Sequence, residues 1–158
     1  MIRLFIIIVI TLFFIPSPVQ AQNFSRWVFS DNTDPFTDEM QLSLGSEAIG
    51  SIRGEVVAIV CTDEYVALAF NDGGFNVDRT NEVQIRIDDN PSWSFVGEHM
   101  RGGSYTTFDQ VTVQRLVHGL RDGQRVLLYR AGSNTVRVPL NGSTTAAQDF
   151  IARCPHLE

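Results

Sequence analysis

Residues 55–70 read EVVAIVCTDEYVALAF: a β-branched run ending at Cys61, three polar residues (Thr62, Asp63, Glu64), and a second apolar run from Tyr65 to Phe70. Two strand-forming runs joined by so short a polar link spell an antiparallel hairpin. The same grammar repeats outward in both directions. Towards the N-terminus, Trp27-Val28-Phe29 opens the domain, residues 30–39 are polar and loop-like, and Gln41-Leu42-Ser43-Leu44 alternates like an edge strand. Towards the C-terminus, Asn71-Asp72-Gly73-Gly74 is a turn signal, and VQIRI at 83–87 alternates strictly. Asp88-Asp89-Asn90-Pro91 then turns that strand into another over 93–96. Gly102-Gly103 breaks the chain before a short strand over 104–108, and residues 126–130 and 136–138 make a third hairpin around Ala131-Gly132-Ser133-Asn134.

Two segments change period. Val113, Leu116, Val117 and Leu120 recur on one helical face, with Asp109 placed to cap the N-terminus and Gly123 to stop the helix. Val111-Thr112-Val113 read alone also suits a strand. Ala147, Phe150, Ile151 and Cys154 form a second helical stripe, capped by Asn141 or Ser143 and ended by Pro155. The expected fold is mainly β: seven to nine short antiparallel strands in a sandwich or partly open barrel, with one or two packed helices.

The first 21 residues stand apart. Arg3 precedes an apolar run over 4–15 broken only by Thr11, and Pro16, Pro18 and a Val19-Gln20-Ala21 tripeptide follow. This is the layout of a secretory signal cleaved after Ala21, and the run is short for crossing about 30 Å of hydrocarbon. The expectation is one domain over 22–158, periplasmic or secreted, with no stable membrane insertion after cleavage. With 11 of the 12 basic residues against all 18 acidic ones, that domain carries a net charge of −7. Every basic residue is Arg, and along the sequence the arginines are scattered. At 44% hydrophobic and 19% charged, the chain is unlike a disordered segment, a coiled coil or a basic nucleic-acid binder, so no nucleic-acid partner is expected.

Cys61 and Cys154 are the two cysteines. In an exported chain an even pair with no CxxC motif reads as one structural disulfide. It would staple the C-terminal helix to the strand ending at Cys61, stabilising the fold by up to about 4.6 kcal/mol through the long loop it closes.

Catalytic chemistry has no signature. His99, His118 and His156 lack metal-ligand spacing, and Ser104 and Ser133 follow Gly without forming a nucleophile elbow. Gly73-Gly74 and Gly102-Gly103 lack the Lys of a phosphate loop. Asp31, Asp34, Asp38 and Glu39 cluster without the order that wraps calcium, and Pro35 stiffens their middle, so a solvated turn is the simpler reading. No metal and no cofactor is expected. Trp27 and Trp93 suit the core of a small β domain.

The ordered features resemble a known family. Trp27, Asp34-Pro35-Phe36-Thr37-Asp38, the β-run into Cys61, Val83-x-x-Arg86-Ile87-Asp88 with Trp93 after it, Leu127-Leu128-Tyr129-Arg130 and a closing helix ending in Cys154 together look like the exported accessory proteins associated with bacterial type VI secretion, the VasI-type family. The resemblance covers most of residues 22–158. The chain departs from the family pattern at Ala131-Gly132-Ser133, where a Pro-Tyr turn is common, and in lacking a Ser-x-Asp after Trp93. The family supplies no catalytic residues. The resemblance implies a periplasmic accessory role.

The expected function is thus a non-enzymatic accessory or binding module whose partner is an envelope protein or the cell wall. The alternative is a small secreted inhibitor or host-interaction protein acting through its loops. Loops are what a domain this small has left for binding once its strand faces are buried. Asp34, Pro35, Phe36 and Asp38 are the candidate partner-binding residues, an aromatic anchor among carboxylates. The competing reading has Phe36 capping the end of the sandwich.

Overall fold

A computed structural model describes residues 26–47, 56–71, 81–100, 104–132 and 134–157. The segment over 1–21 read as a secretory signal, the turn expected at Asp72-Gly73-Gly74 and the break expected at Gly102-Gly103 lie outside the described residues. The described elements run in the order β1 (Val28–Asp31), β2 (Gln41–Glu47), β3 (Val56–Thr62), β4 (Val66–Asn71), β5 (Glu82–Ile87), β6 (Trp93–Val96), β7 (Glu98–Met100), β8 (Ser104–Thr107), α1 (Gln110–Asp122), β9 (Val126–Ala131), β10 (Asn134–Pro139) and α2 (Ser143–Ile151). Ten strands exceed the seven to nine expected, because short edge strands such as β7 leave little periodicity to read.

The strands form two antiparallel sheets, one ordered β1-β2-β3-β4-β8-β7 and the other β10-β9-β5-β6. The arrangement is a sandwich rather than a closed barrel. The expected hairpin forms over its described residues: β3 pairs with β4 from Val56↔Asn71 to Cys61↔Val66. The hairpins β5–β6 and β9–β10 also form. The segment read as an edge strand, Gln41 to Leu44, is instead internal, since β1 covers one side of it and β3 the other. Its small outward residues, Ser43 and Gly45, mimic an edge pattern.

Alternation buries one face of each sheet. Leu42, Leu44, Val57, Ile59, Leu68 and Phe70 from the first meet Val83, Ile85, Leu127 and Tyr129 from the second in a single core that also takes both helices. The rings of Phe70 and Tyr129 lie 4.7 Å apart, and the Tyr129 hydroxyl donates to the Asn71 carbonyl at 2.6 Å. Trp27 is only 2% exposed, and its indole N–H donates to the Pro139 carbonyl at 2.8 Å, tying the start of β1 to the end of β10. Trp93 is half-buried against the core, with the Arg115 guanidinium 4.7 Å from its ring centroid.

Helix α1 begins and ends as its sequence predicts. The Asp109 carboxylate accepts the Thr112 N–H at 2.9 Å, the Gly123 N–H closes the last turn onto Gly119, and Val113, Leu116, Val117 and Leu120 are buried. Helix α2 differs in two details. Gly142, at φ +78°, occupies the N-cap position instead of Asn141 or Ser143, and no side chain caps the helix. The left-handed backbone there favours glycine. Cys154 lies past the end of α2, in a turn whose N–H bonds the Phe150 carbonyl. It is therefore not on the helical stripe, though it does bond to Cys61.

Candidate functional site

Antiparallel pairing puts the β1–β2 loop and the β3–β4 turn at the same end of the first sheet, because Gln41 stands opposite Thr62. Between them lies an open groove of about 840 Å³, lined by Asn32, Thr33, Asp34, Pro35, Glu39, Met40, Gln41 and by Thr62 to Tyr65. Its walls are hydrogen-bonded in detail. The Asp34 carboxylate accepts the N–H groups of Phe36 (2.7 Å) and Thr37 (3.2 Å), and the Asp34 N–H donates to the Glu39 carbonyl at 3.1 Å. Asp38 takes a left-handed conformation at φ +58°, which an Asp tolerates better than most side chains. Across the groove, the Thr62 hydroxyl accepts the N–H groups of Glu64 and Tyr65. The two walls are joined where the Met40 N–H donates to Asp63 at 3.1 Å.

The C-terminal segment after α2 braces both walls. Arg153 pairs with Asp31 at the start of the first loop. Cys154 bonds to Cys61, one residue before the second turn, and His156 Nε2 lies 3.0 Å from the Thr62 carbonyl oxygen. The Gln110 amide in turn holds the His156 carbonyl. Asp31 is held at a pKa of about 2 because it accepts from the Thr33 hydroxyl and N–H and faces Arg153. The brace is thus charged at any ordinary pH.

Of the four expected partner-binding residues, Asp34 and Pro35 line the groove and Phe36 and Asp38 sit in the same loop. Phe36 is 94% exposed, so it does not cap the sandwich; that reading is overturned because the Asp34 carboxylate holds the Phe36 N–H within a loop whose residues 34–39 are all exposed. Residues beyond this loop complete the site. Asp63 and Glu64 add carboxylates to the wall, and Tyr65 makes an edge-on ring contact with Phe108 at 5.5 Å. Phe108 and Val111, at the start of α1, are 57% and 71% exposed and extend an apolar rim from Tyr65. The polar triplet Thr62-Asp63-Glu64 was legible as a turn, but only strand register reveals which loop it faces.

The other sequence candidates go elsewhere. His99 packs edge-on against Tyr105 at 5.1 Å, His118 lies half-buried on α1, and His156 serves the brace. Among the described residues, no group of three His, Cys, Asp or Glu side chains gathers closely enough to hold a metal ion. No described helix is long and apolar enough to cross a membrane. No family model matches the chain, and no curated protein or solved structure matches it either.

Proposed function

We propose that this chain is an exported, non-enzymatic binding module that holds a segment of an envelope protein in the groove at the end of its first sheet. The carrying observation is a braced, carboxylate-lined groove with a fully presented aromatic, Phe36, in the loop that supplies one wall, and exposed Phe108 and Val111 beside Tyr65 of the other. Such a surface favours a partner segment bearing Lys or Arg beside apolar side chains, since charge steers the encounter and the aromatics supply desolvated contact. The disulfide is compatible with export. A periplasmic accessory role, of the kind seen in the VasI-type proteins of type VI secretion, fits this reading. A secreted inhibitor that plugs a partner with the Phe36 loop is favoured by the same ring's exposure.

Site-specific photo-crosslinking from position 36 in envelope extracts tests the proposal. One discrete partner should be captured, and Phe36→Ala or Glu64→Arg should abolish its binding while the melting temperature stays unchanged. Unaltered binding in both variants would refute the groove as the site.

A further inference from the structure

The second sheet turns its other face to solvent, and strand pairing gathers there arginines that are far apart in the sequence. Arg86 of β5 stands opposite Leu128 of β9, and Leu128 stands opposite Arg137 of β10. Arg130 follows two residues along β9, opposite Gln84 and Thr135. The three arginines are exposed and Leu128 is half-buried between them. Two shallow hollows, of about 260 and 280 Å³, open on this face, and Arg86 and Leu128 line both; Asp88 and Asp89 at the edge of the second are already held, Asp88 by backbone N–H groups and Asp89 by Arg125. Three of the arginines that look scattered along the chain therefore form a patch.

Among the described residues, none of the three arginines has a salt-bridge partner. Glu82 is the only acid in the four strands. Other arginines are engaged: Arg121 with Asp122, Arg125 with Asp89, Arg153 with Asp31, and Arg115 over Trp93. Arg130 donates to the Gln84 side chain. Among the described residues, no carboxylate lies within ion-pair distance of Arg86, Arg130 or Arg137.

We propose that this face docks an acidic segment of a partner protein, two of its carboxylates meeting Arg86 and Arg137 and an apolar side chain between them resting on Leu128. The two arginines stand two strand spacings apart, about 10 Å between Cα atoms, a span their long side chains adjust. The guanidinium fork matches a carboxylate bidentately. The chain's net charge of −6 selects the occupant further. It repels an anionic membrane, a dense polyphosphate and a second copy of the same chain, whereas a short segment brings its negative charge only where the arginines stand. This surface is separate from the groove, so the two readings stand or fall independently.

The probe is a short dye-labelled peptide carrying Glu-Ser-Leu-Ser-Glu repeats, whose Glu and Leu side chains share one face when extended, compared with its Gln-Ser-Leu-Ser-Gln counterpart by fluorescence anisotropy on the disulfide-bonded chain. The Glu peptide should bind in a salt-sensitive manner and the Gln peptide should not. The Arg86→Gln/Arg137→Gln variant, altered only at exposed positions, should weaken binding roughly tenfold or more at unchanged melting temperature, and Phe36→Ala should leave it intact. Equal binding of the two peptides overturns the proposal without recourse to any variant. So does binding unaffected by the arginine changes, tighter binding of polyphosphate or anionic phospholipid vesicles, or salt-sensitive self-assembly in sedimentation that excludes the peptide.

Discussion

Asp88 shows how much one side chain can organise. Its backbone sits at φ +51°, and its carboxylate accepts the N–H groups of Gln124 (2.8 Å), Arg125 (2.9 Å) and Val126 (2.9 Å), gathering the whole α1–β9 connection. Burial alone would raise its pKa, but those three donors and the Arg125 charge outweigh it, so the pKa lies below 3.8. Asp88→Ala removes the acceptor and places Ala at positive φ, and chemical denaturation at neutral pH should show a loss of about 2–4 kcal/mol. Asp88→Asn, which tolerates the backbone and keeps one acceptor oxygen, should cost less. A depressed carboxylate pKa contributes stability that is complete above the unfolded value, near 3.8, and drains away as pH falls through the lower folded value. Wild-type stability should thus drop below about pH 4, with a smaller drop in Asp88→Asn. At the head of α2 the balance runs the other way. The Ser143 hydroxyl is buried with no hydrogen-bond partner among the described residues, so Ser143→Ala should leave the melting temperature unchanged or raise it. Gly142→Ala, at φ +78°, should lower stability by about 1–2 kcal/mol.

At the scale of elements, α1 meets the second sheet so closely that a side chain at Gly119 would have to displace the terminal methyl of the buried Ile87. A Cβ at Gly119 would lie 2.3 Å from the Ile87 Cδ1 atom. Alanine favours helix by about 1 kcal/mol over glycine, yet the contact should dominate. Gly119→Ala is expected to destabilise by about 1–3 kcal/mol, and adding Ile87→Val, which deletes the offending methyl, should restore most of it. A double-mutant cycle by thermal denaturation measures that coupling directly, and strictly additive effects would rule out the contact as the cause. The local elements themselves were legible. Alternation marked the hairpins, and the Asp109 and Gly123 signals bounded α1, because these features depend on neighbours a few residues away. The edge assignment of Gln41 to Leu44 failed because β1, its cover, carries the short and weakly patterned sequence VFSD.

Across the whole molecule, the Cys61–Cys154 bond spans 93 residues and holds the brace that shapes the groove. Cys61→Ala/Cys154→Ala should lower stability by about 2–5 kcal/mol and, because Arg153 and His156 flank the lost tether, should speed proteolysis in the 31–40 loop before the chain unfolds globally. Limited proteolysis with mass mapping reads that order, and simultaneous cleavage everywhere would contradict it. The sequence by itself determined the strand-rich class, the bounds of α1, the disulfide pairing and the Asp34–Asp38 loop as a polar turn carrying an aromatic. Each follows from local periodicity, turn chemistry or the count of two cysteines. Only the tertiary structure decided that Phe36 faces solvent, that Asp63, Glu64 and Tyr65 form the opposite wall, and that Arg86, Arg130 and Arg137 share one face. Those facts depend on strand order and register between segments tens of residues apart, and pairing across such distances is set by the fit of the whole core rather than by any window of the chain.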